Sequence, residues 1–221
     1  MDNILLNNFF KKNAVDVFGA PSAQALVHFN LMMQVEPEAN KEFHAVVDRR
    51  LANDQPKRVG DALIEKERIE SLADYNQVIK MMRQKIDAIN SDTLTKKAME
   101  FENEIVPELI KKLMTSHNDV FIESAAKVMV ESKLDFYKEL MELFDDIRNP
   151  YAQSVVLVLL GFKADESDIP WFIKKYENLK MLYPDESYCE GAYYGLYEIE
   201  RRNYMMINKP YPRPASKTRE I

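Results

Sequence analysis

The chain has 221 residues, 46% of them hydrophobic and 30% charged, so it is long enough to bury a substantial core. It holds only five glycines, and Gly-rich phosphate loops, β-bulges and tight hairpin turns all need that residue, which argues against nucleotide-binding and sheet folds. The formal net charge of −6 lacks the basic footprint typical of nucleic-acid-binding proteins.

The first hundred residues are predicted to form helices without a visible repeat. Residues 4–10 are a short apolar stretch that is expected to cap the core as a helix. A second helix is expected to open at Pro21 and Ser22 and to run to about Val35. Its apolar side chains on one face are Ala25, Leu26, Phe29 and Met33.

Two further helices are predicted after Pro37. Pro37 takes the favoured first-turn position of a helix that stops before Pro56. The apolar residues of that helix are Phe43, Val46, Val47 and Leu51. Gly60 and Asp61 begin a charged helix, and its apolar positions are Leu63, Ile64 and Ile69.

The next segment is interpreted as one long helix, a break and another helix. Asp74 is a candidate N-cap for the long helix. That helix carries Val78, Ile79, Met82, Ile86 and Ile89. The polar residues 90–92 interrupt the chain, and a further helix covers roughly residues 93–103.

A repeat becomes visible from Val106 onward. Residues 106–112 read Val-Pro-Glu-Leu-Ile-Lys-Lys and residues 169–175 read Ile-Pro-Trp-Phe-Ile-Lys-Lys, with residues 136–142 between them. Leu140 falls 31 residues after Leu109 and 32 residues before Phe172. A period of this length corresponds to one helix–turn–helix unit.

The second helix of each unit shows the same period. Residues 123–129, 153–159 and 190–196 align, with small residues where a helix must approach its neighbour and large apolar residues one turn later. Polar or acidic pairs precede these helices and are expected to cap them. The pairs are Asn118-Asp119, Asn149-Pro150 and Asp185-Glu186.

This arrangement resembles the HEAT-repeat family of α-solenoids over residues 105–201. The resemblance implies an all-α fold, an α-α superhelix of stacked antiparallel helical hairpins of the HEAT/armadillo type. It implies irregular helical hairpins at residues 1–104 and three repeats continuous with them at residues 105–207. Residues 208–221 are expected to form an extended, Pro-rich tail, and a separate N-terminal helical domain is the alternative for the first part.

Candidate catalytic and metal-binding residues do not assemble into a motif. His28, His44 and His117 lack companions at metal-ligand spacing, so we expect partly exposed histidines on helices. Cys189, the single cysteine, lies in an acidic stretch that opposes thiolate formation, and a partly buried structural thiol is expected. Glu100, Glu104 and Glu108 share a helical face but lack the Glu-x-x-His pairs of dimetal bundles. The sequence therefore favours a protein that is not an enzyme and has no catalytic residues, no metal and no cofactor.

Aromatic residues concentrate near the C-terminus. Eight of the eleven tyrosines lie between Tyr176 and Tyr211, beside Trp171, the single tryptophan. On the last repeat helix a stripe beside the core face is expected on the concave side, where Tyr and Arg are typical of binding hot spots. The candidate partner-binding residues are Glu190, Tyr194, Tyr197, Arg201 and Trp171. Packing at the end of the solenoid is the alternative explanation.

The resemblance implies a protein–protein interaction or scaffold protein that binds a protein partner on the concave face. A bacterial regulatory or immunity-type protein is one version. The alternative is a HEAT-like nucleic-acid-processing enzyme such as a relative of the alkylpurine DNA glycosylases. Against that alternative, the recurring pairs Lys111-Lys112 and Lys174-Lys175 belong to first helices, expected on the convex side. A homo-oligomer joined through the last repeat is a third possibility, and the sequence leaves the oligomeric state open.

The expected compartment is the cytoplasm. A single cysteine excludes an intramolecular disulfide and is typical of a reducing environment. The N-terminus has neither the basic start nor the long apolar run of a signal peptide. The longest apolar run, residues 155–160, is too short to cross a bilayer. We therefore expect no membrane segment.

Overall fold

Helices make up the regular structure of the part of the chain that can be described. The computed structural model describes residues 4–13, 21–36 and 56–206, with a few isolated positions between 41 and 53. In these residues the fold is all-α, with eleven α-helices and no strand. The helices are α1 (Ile4–Lys12), α2 (Ala23–Val35), α3 (Pro56–Glu70), α4 (Tyr75–Met81), α5 (Ala88–Met99), α6 (Glu102–Leu113), α7 (Asp119–Glu131), α8 (Tyr137–Glu142), α9 (Pro150–Gly161), α10 (Ile169–Leu182) and α11 (Glu190–Met206). Short 3-10 turns at Phe144–Asp146, Glu166–Asp168 and Ser187–Cys189 precede α9, α10 and α11.

Polar side chains fix where several helices begin. The predicted caps Asp74, Asn118 and Asn149 are confirmed, because each side chain accepts a hydrogen bond from a backbone amide of the first turn, at 2.7, 2.9 and 3.0 Å. Glu186 makes no such bond, and the pair Asp185-Glu186 precedes the 3-10 turn rather than α11 itself. The short-range sequence signal is therefore reliable where an Asn or Asp directly adjoins the helix.

The helices from α5 onward form a stack. The second helices α5, α7, α9 and α11 pack side by side in chain order, and the first helices α4, α6 and α10 pack against α5, α7 and α11. Leu109, Leu140 and Phe172, which the repeat makes equivalent, are all fully buried. The equivalent second-helix residues are buried too: Ala125, Val155 and Ala192, then Met129, Leu159 and Leu196. The structure is thus compatible with a helical repeat.

Side chains at the turns join each unit to the one before it. Lys163 Nζ donates to the carbonyl of Ser132 at 2.9 Å, and Ser132 Oγ donates to Oε1 of Glu102 at 2.7 Å. At the other end of the units, Nδ2 of Asn149 donates to the carbonyl of Ser116 at 3.1 Å. These bonds satisfy polar groups at helix ends, where backbone carbonyls would otherwise lack partners.

Glycines allow the closest approach in the stack, between α9 and α11. A Cβ atom at Gly195 would lie 2.6 Å from the carbonyl oxygen of Leu157, and one at Gly161 would lie 2.5 Å from Cα of Gly195. Neither position has room for a side chain. The expectation that small residues occur where second helices meet is confirmed here.

The two N-terminal helices fold back over the stack. The predicted helix at residues 4–10 is present as α1. The Phe9 ring of α1 lies 4.9 Å from the ring of Tyr176 and 6.1 Å from that of Tyr193, so the structure places α1 over the last unit. Helix α2 crosses α7, α9 and α11, and buries Val27 and Leu31 against them. The second-helix face therefore carries a helix of the same chain.

Two predicted boundaries before the repeat are wrong. Helix α3 begins at Pro56 rather than Gly60, and it packs against α5 with Ile69 buried, while Leu63 and Ile64 are exposed. The long helix expected after Asp74 ends at Met81, and Asp87 caps α5 instead. Residues 90–92 lie inside α5, since tertiary contacts satisfy polar groups that suggested a turn.

The first unit of the repeat also starts earlier than predicted. Helix α6 begins at Glu102, which places Pro107 in the second turn and not near the helix start. A proline there leaves the carbonyl four residues earlier without its helical donor. That carbonyl belongs to Asn103, which is exposed to water. The predicted helix from Pro37 to about Leu51 and the predicted tail, residues 208–221, lie outside the described residues.

Candidate functional site

Most of the predicted partner-binding residues meet α2. On α11, Tyr194, Tyr197 and Arg201 follow helical spacing and share one stripe, which faces α2 and the residue that follows it. The His28 ring of α2 stacks on Tyr194, with 5.6 Å between centroids, and meets Tyr197 edge-on at 5.5 Å. We name this contact region of α2 and α11, with His28, Tyr194, Tyr197, Glu198 and Arg201, the α2 junction.

A buried carboxylate lies at the centre of the α2 junction. Glu198 is 0% exposed, and its Oε2 lies 2.9 Å from Nε2 of His28. Arg201 donates two hydrogen bonds to the same carboxylate, from Nε at 2.9 Å and from Nη2 at 2.8 Å. Its Nη1 donates to Glu36, which follows directly after α2. The expectation of a partly exposed histidine is wrong for His28, because Glu198 gives its ring a hydrogen-bond partner inside the protein.

Hydrogen bonds decide the charge of Glu198. Burial acts to raise its pKa, but hydrogen bonds from His28 and Arg201 and the positive charge of Arg201 outweigh that effect, so the pKa lies below its ordinary value. The carboxylate is therefore ionised at neutral pH. A buried ionised carboxylate is strongly destabilising when it loses its partners, so the α2 junction depends on the contacts of Glu198 with His28 and Arg201.

Further polar contacts hold α2 along its length. Gln34 donates to Asp92 at 3.3 Å and also bonds Glu131, while Ser187 donates to Oε1 of Gln24 at 3.1 Å. Burial raises the pKa of Glu131 above its ordinary value. The helix is thus bound to α5, to α7 and to the 3-10 turn before α11 by polar side chains as well as by its apolar residues.

The apolar stripe of α2 faces away from the core. Ala25, Leu26, Phe29 and Met33 do share one face, but Leu26 is 51% and Phe29 is 47% exposed. The buried face instead holds Gln24, Val27, His28 and Leu31. The reason is that α5, α7 and α11 offer polar partners to α2, so the side with polar residues can be buried. The helix therefore presents large apolar side chains outward.

Trp171 and Glu190 lie apart from this cluster. Trp171 is on α10, where its ring packs edge-on against Phe144 at 5.3 Å and lies 5.3 Å from Nζ of Lys175. Glu190 begins α11, and its Oε2 is buried without a hydrogen-bond partner in the described part of the chain. The structure brings Tyr194, Tyr197 and Arg201 together at α2 but does not bring Trp171 to them. A direct role in partner binding stays a prediction for all five residues.

The residues considered for catalysis and metal binding can be located in the described part of the chain. In the described ranges, no group of three or more His, Cys, Asp or Glu side chains could hold a metal ion. Cys189 is a buried free thiol, as expected, and burial raises its pKa. Glu100 and Glu108 bond to Lys97 and Lys111 at the surface, at 2.7 and 2.8 Å.

Among residues 4–13, 21–36 and 56–206, no helix is long and apolar enough to cross a membrane.

Comparison of the chain with protein-family models, with curated proteins and with solved structures finds no match. The role of the α2 junction therefore rests on its geometry. Sequence reasoning missed Glu198 as the buried partner of His28. One signal existed: Glu198 stands between the core residues Leu196 and Ile199, and Gln24, His28 and Leu31 follow helical spacing on α2.

Proposed function

We propose that this protein is a non-enzymatic interaction protein, a HEAT-like stack of helical hairpins that binds a protein partner where α2 covers the second helices. The orientation of α2 carries the proposal. The helix buries Gln24 and His28 and exposes Leu26 and Phe29. Large apolar side chains that share an exposed helix face are typical of interaction surfaces, because their burial against a partner is favourable.

The partner is proposed to contact the outer face of α2 rather than to replace the helix. Val27 and Leu31 belong to the main core, and removing α2 would take His28 away from the buried Glu198. Both losses are costly. In this proposal Tyr194 and Tyr197 act through α2, since their rings hold His28 and so fix the direction of Phe29.

Charge indicates the chemistry of the partner. The chain has a net charge of −6, although Glu36 at the C-terminal end of α2 is paired with Arg201. A basic protein surface with protruding apolar side chains complements a chain of net negative charge, and opposite charges speed the encounter of two proteins. A regulatory or immunity-type protein that neutralises a basic partner is the version of the proposal that this charge favours.

The test is affinity capture from cells of the source organism with matched variants. Phe29→Asp and Leu26→Asp place a charge on the proposed surface at exposed positions, and Leu182→Asp does the same at an exposed leucine of α10. A captured protein should be lost with the two α2 variants and kept with Leu182→Asp. With the purified partner, Phe29→Asp should weaken binding by about tenfold or more, and salt should weaken it further.

Correct folding of the variants is the control for this experiment. Thermal melting of all three variants should match the parent protein, because the changed side chains are exposed. If the partner binds Phe29→Asp and Leu26→Asp as tightly as the parent, the proposed surface is wrong. Light scattering of the purified protein must accompany the capture, since loss of a dimer in the same two variants would show that the face joins two copies.

The nucleic-acid-processing alternative has less support. The second-helix face has carboxylates beneath α2, namely Asp92, Glu131 and Glu198. Lys111 is bonded to Glu108, and Lys175 is buried beside Asp145. Phosphate tracking requires unpaired positive charge along a groove. Nuclease treatment of the lysate should therefore leave partner capture unchanged.

A further inference from the structure

A cavity lies beside the α2 junction. It has a volume of about 420 Å³ and is formed by the C-terminal end of α2, the turn after α9 and the last turns of α11. Its apolar lining residues are Val35, Val130, Phe162, Met205 and Met206. Its charged lining residues are Glu36, Lys163, Glu198, Arg201 and Arg202. The cavity thus joins an apolar wall to a charged one.

The carboxylates of the cavity are already engaged. Arg201 bonds both Glu198 and Glu36, so one guanidinium takes up both acids. Arg202 Nε lies 4.0 Å from Oε1 of Glu198, at the outer limit of an ion pair, and makes no hydrogen bond among the described residues. Among the lining residues, three cationic side chains face two carboxylates, so one positive charge is in surplus, and it lies with Lys163 and Arg202 because Arg201 bonds both acids.

Lys163 and Arg202 have neutral hydrogen-bond partners. Nζ of Lys163 donates to the carbonyl of Ser132 at 2.9 Å, and Nη2 of Arg202 donates to that of Gly161 at 2.7 Å and to that of Ala164. Carbonyls orient the two cations without neutralising them. The fold therefore holds two like charges together at the rim of an apolar cavity.

Burial makes this arrangement unfavourable without a counterion. Burial lowers the pKa of Lys163, and the charge of Arg202 lowers it further, although Glu102 acts in the opposite sense. Burial also lowers the pKa of Arg202, although Glu198 and Asp165 oppose that effect. An anion between the two side chains would relieve both desolvation and repulsion.

We propose that this cavity binds a small amphipathic carboxylate, with the carboxylate between Lys163 and Arg202 and an apolar chain against Met205 and Met206. Small-molecule sites are typically of about 300–1,000 Å³ and mostly apolar with a few convergent polar groups, which describes this cavity. Arg and Lys donors suit a carboxylate. The inference concerns a small ligand and does not depend on the proposed protein partner.

Calorimetry with decanoate, decanol and acetate tests the ligand class on the whole 221-residue chain. Decanoate should bind saturably with one site per chain. Decanol lacks the charge and acetate lacks the chain, so each should bind about tenfold more weakly or not at all. Equal affinity for decanoate and decanol, or no saturable binding of decanoate, would overturn the proposal.

Matched variants locate the site. Met206 is 84% exposed on the cavity wall and Met181 is 73% exposed on α10 away from it, so both tolerate Met→Glu without loss of folding. Met206→Glu should weaken decanoate binding by about tenfold or more and Met181→Glu should not. Lys163→Gln should also weaken it, while Lys174→Gln, at an exposed residue outside the cavity, should not. Binding unchanged in Met206→Glu would place decanoate elsewhere and refute the site, whatever Lys163→Gln does to folding.

Discussion

Glu198 lies fully buried in α11, and both of its carboxylate oxygens accept hydrogen bonds. Two of the donors come from Arg201, three residues along the same helix, and one comes from His28. A carboxylate whose pKa is lowered by such partners stabilises the folded state while it is ionised. At the residue scale, this charge is one of the groups that attach α2 to the stack.

Replacing Glu198 should make stability respond differently to pH. The folded-state pKa lies below the ordinary value of 4.5, so the stabilisation is complete above that value and is lost as pH falls through the folded pKa. Glu198→Gln should destabilise the protein by about 3 kcal/mol at pH 7, because Arg201 loses a buried partner. Urea denaturation of both proteins should show that this difference shrinks as the pH falls below about 4.5.

The exposed residue Glu100 is the control for this experiment. It bonds Lys97 at the surface, and Glu100→Gln should change the free energy of unfolding by no more than about 0.5 kcal/mol, both at pH 7 and below about pH 4.5. If the difference in free energy of unfolding between the parent and Glu198→Gln stays the same from pH 7 to below about 4.5, the role assigned to the charge is wrong.

At the scale of elements, the crossing of α9 and α11 depends on glycine. Gly195 lies against the backbone of Leu157 and the ring of Phe172, at distances that leave no room for a methyl group. Gly60 on α3 faces open space, and a methyl group added there would meet no atom within 4 Å. Gly195 is thus tightly packed between two helices, whereas Gly60 has free space beside it.

Alanine substitutions at these two glycines should have opposite effects. Gly195→Ala should destabilise the protein by about 1–3 kcal/mol, because α9 and α11 must move apart or strain their side chains. Gly60→Ala should stabilise it by about 0.5–1 kcal/mol, because alanine favours the helix and meets no neighbour. Thermal melting followed by circular dichroism measures both. A neutral Gly195→Ala would mean that the two helices are not in close contact.

At the scale of the whole molecule, α1 and α2 share one core with the stack. Leu6, Phe9, Val27 and Leu31 belong to the same buried cluster as Leu109 and Phe172. A domain with one continuous core usually unfolds in a single cooperative transition. We therefore expect α2 and the repeat to unfold together, although many residues separate them in the chain.

A pair of substitutions on α2 tests this cooperativity. Leu31→Ala should destabilise the protein by about 2–5 kcal/mol, because Leu31 is buried, whereas Phe29→Ala, on the outer face, should change stability by less than about 0.5 kcal/mol. Fluorescence of Trp171, on α10, and circular dichroism should shift together in Leu31→Ala. Separate midpoints for the two probes would show that α2 unfolds independently.

The first hundred residues show where sequence patterns reach their limit. The helix end at Met81 escapes prediction because Asn90 and Asp92 suggest the turn instead, yet Asn90 is buried in α5 and donates to the carbonyl of Ala62 at 3.1 Å. The outward face of α2 escapes prediction too, since the apolar residues Leu26 and Phe29 suggest a core stripe. In both places a distant segment supplies the partner that makes a polar residue acceptable inside.

The sequence by itself determined the helical character, the caps Asn118 and Asn149 and the register that buries equivalent residues. These features depend on neighbours within one or two turns, which the local pattern contains. Only the tertiary structure decided that α2 crosses the second helices and that Glu198 meets His28, 170 residues away in the chain. Such a pairing depends on how remote elements pack, and no local spacing encodes it.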